Sequence, residues 1–522
     1  MEQQPHNALY IWDIPEEPIT DIARRVETEI LIVGAGVAGV IPALAASEEG
    51  AKVIVLSKDR DVIALGGSCF AFNSRLTKKF GKTYDLTEVM QRVTEVFSRR
   101  VNERAWSIFL NRSGEVMDWA MDYGEAGGLT PVLQNCEPFP HVGEYFGTHL
   151  FIGGKHGPDI TGHAQLDLIR IMKKAAVEKG VDFHFRVKAK QLVRRPDGER
   201  RVTGVIALEK DGTYTEYVGK KGVILATGDY GKNKEMMRKF HSYLPGAYKP
   251  NFGGNGDGHV MALRIGGAWQ KNDAHALIMF DFAGESVDNE FRLAPGNVHV
   301  KESYFAFNTA SWQLAVNRDG ERFHNELCTF GWHSRQMLMQ PERKAFNIYD
   351  QKCIEASMPL EAGHLGGKPI TMKEAIKLKC CGEGYPTLEA FAEAHGLPVD
   401  TFVKTVGRYN ELCHKGYDED FFKPSYALHP IENPPYYGGE CIYFVLIPVG
   451  GLSCNHKMQA LDKNDDVITG LYYNGTMAGD FFDNLYTTMM PGANLGRTMT
   501  FGYITGKMLA GQTLLTQRLG SS

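Results

Sequence analysis

Residues 29–58 read Glu29-Ile30-Leu31-Ile32-Val33, then Gly34-Ala35-Gly36-Val37-Ala38-Gly39, an alanine-rich apolar run to Gly50, and Lys52-Val53-Ile54-Val55-Leu56-Ser57-Lys58. Ile30–Val33 is a short apolar, β-branched run, the pattern of a buried parallel strand. Gly34 lets the chain turn, Gly36 lets backbone approach a pyrophosphate, and Gly39 lets the next helix pack against the strand. The helix opening at Val37 and Ala38 offers free N–H groups to phosphate. Strand, glycine turn, helix and second strand in this order make a dinucleotide site, whereas the glycines alone would support only a tight turn. An acid ordinarily closes the second strand and holds the ribose hydroxyls. Ser57 and Lys58 stand there instead, which argues against NAD more than against FAD, whose contacts are spread more widely.

The chain around this unit has 522 residues, enough for two to four structural units. Its 43% hydrophobic and 23% charged residues describe an ordinary globular protein with a large core. A formal charge of -5 with interspersed signs argues against a nucleic-acid partner. The nine cysteines form no CxxC, CxxCH or ferredoxin-like run, so the sequence shows no metal or cluster motif. They read as buried thiols of a reducing cytoplasm. There is no signal-peptide pattern, and the most apolar run, 30–46, is shorter than a membrane span.

Residues 1–27 read as a polar lead-in. The small-residue loop Gly66-Gly67-Ser68 would let a large cofactor pass; a simple turn is the alternative. Residues 86–100, 104–123 and 161–179 have helical spacing. The segments 183–193, 201–209 and 213–218 alternate as a β-meander, with turns at Asp197-Gly198 and Asp211-Gly212. This leads to a strand ending Ala226-Thr227-Gly228, a second place for backbone to meet a nucleotide. Asp257, opening a helix, serves as ligand contact or as helix cap. Residues 271–435 differ in character and read as an inserted second domain between 28–270 and 436–522. A last glycine-rich turn, Gly492-Ala493-Asn494-Leu495-Gly496, opens the final helix.

These pieces resemble the FAD-binding family that includes fumarate reductase, succinate dehydrogenase, urocanate reductase and 3-ketosteroid Δ1-dehydrogenase. The carriers are Gly34–Gly39, Ala226–Gly231, Gly256–Gly258, Val316–Glu326, Arg408–Leu412 and Pro491–Tyr503. The resemblance implies an α/β fold, α+β overall: a Rossmann-like FAD-binding domain with a β-meander, interrupted by an α+β capping domain. It also implies an active site between the two, over the flavin. Four residues after the Asn325-Glu326 pair the reductases carry a proton-delivering arginine and the ketosteroid enzymes a tyrosine; here Phe330 stands there. The histidine and loop arginine of the dicarboxylate enzymes are absent at their places, although Arg497 follows directly. Two carboxylates need at least two cations, which counts against fumarate. In the last FAD strand the family's Gly-Glu is Gly475-Thr476.

The closing segment is similar to the ketosteroid pattern, in which a tyrosine and a loop glycine amide hold the substrate ketone. Carried over, these are Tyr486 and Gly492. A phenol and an N–H form an oxyanion site; packed aromatic filler is the alternative for Tyr486. His333 and Tyr145 are the candidates for proton transfer. Phe330, Trp332 and the Phe481-Phe482 and Met489-Met490 pairs suit a flat apolar substrate or, equally, a domain interface. The expected function is therefore FAD-dependent redox chemistry at a C–C or C=C bond of a hydrophobic ring compound, ketosteroid-like first and flavonoid-like second. The competing readings are a small-acid reductase using Arg497 and Arg335, or an FAD electron carrier. Electrons would pass to or from a separate partner.

Overall fold

The computed structural model describes residues 10–64, 66–133, 145–154, 165–195, 201–244, 253–271, 276–282, 313–328, 330–356, 364–365, 368–369, 384–482, 486 and 489–512. Its centre is an eight-stranded sheet. The first strand, Arg24–Val33, runs parallel to Val53–Ser57 on one side and to Tyr214–Leu225 on the other. It starts within the stretch 1–27 expected as lead-in, because Arg24–Thr28 pair with Thr215–Gly219. Ile30, Leu31 and Ile32 are fully buried, as a strand flanked on both edges and covered on both faces requires. Val467–Tyr473 extends the parallel set beyond Tyr214–Leu225, and Asp182–Phe185 extends it beyond Val53–Ser57.

The last pairing corrects the expected meander. Asp182–Phe185 belongs to the parallel sheet, and only Lys188–Arg194, Val202–Leu208 and Tyr214–Leu225 run antiparallel in succession. The two strands expected at 213–218 and 222–226 are one continuous strand.

Helix Val37–Ser47 covers one face of the sheet and carries Pro42 in its interior. Proline has no N–H, so the Ala38 carbonyl loses its intrahelical donor. Asn474, just past the Val467–Tyr473 strand, supplies the replacement: its Nδ2 donates to Ala38 O at 2.8 Å. The closing helix, Ala493–Ala510, lies against the same turn. It comes that close because Gly502 and Gly506 have no side chain; a Cβ on Gly506 would stand 2.4 Å from the Pro42 oxygen.

A second, antiparallel sheet has the order Ala276–Phe282, Tyr437–Pro448, Ala345–Tyr349, Leu314–Asn317. Tyr437–Pro448 falls in the sequence range expected for the dinucleotide half, yet it pairs with the inserted segment's strands, so the second unit reaches past residue 435. Helices Leu388–Ala394 and Val399–Lys415 pack on it through Phe391, Phe402 and Val406. Beside them lies a buried ion network. Arg322 pairs with both oxygens of Glu326 at 2.9 Å and with Asp418 at 2.8 Å, and Lys423 reaches Glu326 at 3.3 Å. The two cations hold the Glu326 carboxyl far below its ordinary range against the cost of burial.

Two outcomes test these arrangements. Asn474→Ala strands the Ala38 carbonyl and should lower unfolding free energy by about 1–3 kcal/mol. Urea midpoints should show that cost shrinking in a Pro42→Ala background, where the restored N–H takes the carbonyl. Glu326→Gln leaves two buried cations short of an anion and should cost about 3–5 kcal/mol at pH 7. Because the folded-state pKa is depressed, this stabilisation is present above about pH 4.3 and fades as pH falls below it, so the gap between wild type and variant should narrow in urea titrations at acid pH.

Candidate active site

The C-terminal ends of the parallel strands open into a cleft of about 1120 Å³, part of it open to solvent. Val33 to Ala38 form one wall, so Gly34, Gly36, Val37 and Ala38 line it, as the glycine turn requires. Helix Val37–Ser47 is preceded by Gly36 with no side-chain cap, leaving its first N–H groups to a ligand. Ser57, Lys58, Ala226, Thr227, Gly228 and Asp257 also line it, and so do Gly475, which lies against Ala38, Asn494 and Leu495.

Gly39, Gly66, Gly67, Ser68 and Gly492 are not among the lining residues. They work behind the wall. A Cβ on Gly39 would stand 1.8 Å from the Gly34 oxygen, so only glycine permits the helix to sit on the strand. Gly492, at φ +87°, lies against the Ser68 carbonyl, and its own carbonyl accepts from Phe70 N. Gly66 stands beside Leu495. The 66–68 loop therefore backs the turn that opens the closing helix.

The structure also corrects one charge assignment. Asp257 does not cap its helix: the N-cap is Gly256, and the Asp257 carboxylate pairs with Lys58 at 2.8 Å across the cleft. Ser57 ends the second strand, and Asp59, two residues on, lines the cleft, with its amide donating to Ser57 Oγ at 3.2 Å. Asp229, which the sequence reading passed over, accepts from the amides of Gly231 at 2.7 Å and Gly254 at 2.9 Å. It ties the Ala226–Gly231 loop to the start of the Asp257–Arg264 helix. The Asp-Tyr-Gly following Ala226-Thr227-Gly228 was its visible signal. Thr476 and Thr498, a short residue after a strand and one inside the closing helix, carried no such signal.

Beyond Asn494 the surroundings become aromatic. Tyr486 is buried, and its phenolic oxygen accepts from the Asn494 amide at 3.4 Å, which leaves its O–H to donate. Burial raises its pKa above the usual phenol value, so it stays protonated through neutral pH. Arg497 is 3% exposed. Its Nε donates to Asn494 Oδ1 and its Nη1 to Ala478 O, both at 3.0 Å, while Nη2 has no partner among the described residues. The guanidinium lies 5.3 Å from the Phe481 ring and 5.2 Å from Phe482, and desolvation lowers its pKa to about 10. Trp106 stacks on Phe481 at 4.4 Å. Tyr145 joins this cluster: its amide donates to Met489 O at 3.1 Å, and its ring packs on Phe72 and Tyr84.

Tyr486 and Arg497 do not line the cleft themselves; both are tied to Asn494, which does, and Tyr145 packs in the same buried apolar cluster. His333 lies elsewhere: it is 2% exposed inside the second unit, beside His324 and Phe323, and burial holds its pKa well below the usual imidazole value. Phe330 opens the Phe330–Leu338 helix, but its side chain lies outside the described residues; Trp332 is 52% exposed on the same helix.

The family model for the FAD binding domain matches residues 29–492. The chain belongs to this family. Vinyl phenol reductase of Lactiplantibacillus plantarum is 28% identical over 94% of this chain and 98% of its own. The 3-oxosteroid 1-dehydrogenase of Mycolicibacterium smegmatis is 23% identical over 92% of this chain and 96% of its own. A solved flavocytochrome c3 fumarate reductase in its open conformation superposes with TM-score 0.69 and 23% identity, covering 94% of this chain and 79% of that one. The protein is an FAD-dependent oxidoreductase related to reductases and dehydrogenases of both kinds, and no helix among the described residues is long and apolar enough to cross a membrane.

The cleft fits that cofactor. Its glycine turn and uncapped helix suit a pyrophosphate, and Asp59, Thr227, Thr476, Thr498 and Asn494 line it as hydrogen-bonding side chains. FAD supplies hydride transfer when bound. This chain's residues supply the rest. Tyr486 presents a protonated donor, and Arg497 presents a buried positive charge with no carboxylate on it among the described residues.

Tyr486→Phe should keep the flavin spectrum while turnover falls by about 100-fold, the effect of deleting one donor from a charge-stabilising site. Because its pKa is raised, no loss of rate from Tyr486 ionisation should appear between pH 6 and pH 9 in a steady-state pH profile. A wild-type rate in the variant removes Tyr486 from the chemistry.

Proposed function

We propose that the protein reduces the C=C bond of an aromatic or ring-bearing small molecule, with vinyl phenols first and cyclic enones second. The observation that carries this reading is the Tyr486–Arg497 group bonded to the cleft residue Asn494: one phenol donor and one buried cation set among Phe481, Phe482 and Trp106. A dicarboxylate needs two cations in such a place. One oxygen substituent on a flat ring needs one donor and gains from a neighbouring positive charge. The reductive direction and the phenolic class are supported by the vinyl phenol reductase relative, which matches the chain nearly end to end.

In this reading the substrate oxygen takes the Tyr486 hydrogen bond, and the ring packs on the phenylalanines. Hydride and a proton then add across the double bond, one from the reduced cofactor and one from a side chain. Tyr145, fastened to Met489 beside Tyr486, is the proton donor we assign. The two electrons come from a separate carrier, which recharges the cofactor between turnovers. The second reading, a cyclic ketone held by Tyr486 and the Gly492 amide, is favoured by the Met499–Tyr503 segment that follows the loop.

The test is anaerobic. The reduced holoprotein is mixed separately with para-vinylphenol, a steroid enone, fumarate and urocanate, and flavin reoxidation is followed by absorbance. Reoxidation by the vinylphenol at least about tenfold faster than by fumarate is expected, a difference of about 1.4 kcal/mol in barrier. Faster reoxidation by fumarate or urocanate would overturn the reading, and faster reoxidation by the steroid would exchange its two substrate classes.

A further inference from the structure

Away from the dinucleotide cleft, the second unit gathers His324, Cys328 and His333. One ligand atom from each lies within 4.8 Å of the others. Cys328 Sγ is 3.8 Å from His324 Nδ1, and the two imidazole centroids are 4.7 Å apart. His324 and His333 are 6% and 2% exposed. All three sit on ten residues that lead from the Leu314–Asn317 strand into the first turn of the Phe330–Leu338 helix.

We propose that these three side chains form a zinc site. Burying two imidazoles and a thiol together is costly unless their polar atoms are used. His324 Nε2 is buried without a hydrogen-bond partner among the described residues, so the set as it stands leaves binding capacity unspent. Nitrogen and sulfur donors in this ratio suit zinc better than calcium or magnesium, which take oxygen. Zinc bonds of about 2.0–2.3 Å place tetrahedral ligand atoms about 3.3–3.8 Å apart, so the set needs to close by about 1 Å. Glu326, two residues from His324, is not a fourth ligand, because Arg322 and Lys423 hold its oxygens. The fourth position is left for water.

One further feature supports the site. Cys328 is partly exposed while both histidines are buried, which gives the ion a way in. Binding is balanced: the Cys328 S–H bond breaks, its proton goes to solvent, and a sulfur–zinc bond forms with no change of oxidation state. The consequence is local. The ion would fasten the loop to the helix that carries Phe330 and Trp332.

The experiment uses full-length FAD-loaded protein without a polyhistidine tag. After dialysis against chelator, zinc chloride is added, and bound zinc is counted by mass spectrometry after gel filtration. Cobalt chloride is used in parallel as the optical probe. One metal per chain, Kd below about 1 μM, and a thiolate-to-cobalt absorption band that Cys328→Ser abolishes are expected. On the wild-type chain zinc should also slow iodoacetamide modification of Cys328 by at least about tenfold while Cys413 reacts unchanged, a readout that needs no folded variant. Substoichiometric zinc, a missing cobalt band, or equal alkylation of Cys328 with and without zinc would overturn the site. Each outcome is independent of which substrate the flavin reduces.

Discussion

A single hydrogen bond, from Asn474 Nδ2 to the Ala38 carbonyl, joins residues 436 positions apart in sequence. It exists because Pro42 cannot donate to that carbonyl, and it can form because Gly502 keeps the closing helix out of the way. Through it the first strand–turn–helix, the last strand of the parallel sheet and the final helix become one wall. The cofactor cleft is the space in front of that wall. Residues 33–38 and residues 475–498, adjacent where Gly475 meets Ala38, both line it, and neither segment lines a cavity until the chain ends are brought together.

The cleft then divides by chemistry. At the phosphate and ribose end the chain offers backbone N–H groups and a mixed set of charges, with Lys58 and Asp257 satisfying each other and Asp229 spent on two amides. Behind Asn494 the chain sets a phenol and a guanidinium inside an aromatic cluster. Burying an unpaired guanidinium is expensive. The rings of Phe481 and Phe482 and the carbonyl oxygens of Ala478 and Asn494 meet part of that cost, and an electron-rich ligand would meet the rest.

The second unit is held differently. Its Asn325-Glu326 pair resembles the segment that precedes the proton donor in related reductases, but here Glu326 is locked between Arg322 and Lys423 and its neighbourhood is filled by His324, Cys328 and His333. The position expected to carry an arginine or tyrosine carries Phe330, and the nearest histidine points into this cluster rather than the cleft. Tyr145 and Tyr486 lie instead in the dinucleotide half, in one buried apolar cluster.

The local pattern of residues 29–58 was enough to read the strand, the glycine turn and the helix, because steric and hydrogen-bonding limits at Gly34, Gly36 and Gly39 act within a few residues. The same holds for Ala226–Gly228 and for Asn494–Leu495, whose strand-end and helix-start chemistry is written locally. Pairing partners were not legible. Whether 182–185 joins a meander or a parallel sheet, and which sheet 437–448 enters, depends on long-range contacts that alternating hydrophobicity leaves open. Nor could spacing show that Asp257 turns to Lys58, since loop side chains choose partners only once the strands bring them together. Tyr486 was visible through its motif, but its meeting with Arg497 and Tyr145 was settled by packing. The sequence by itself determined the cofactor cradle; the tertiary structure decided which side chains face one another across it, because charge and aromatic contacts act through space rather than along the chain.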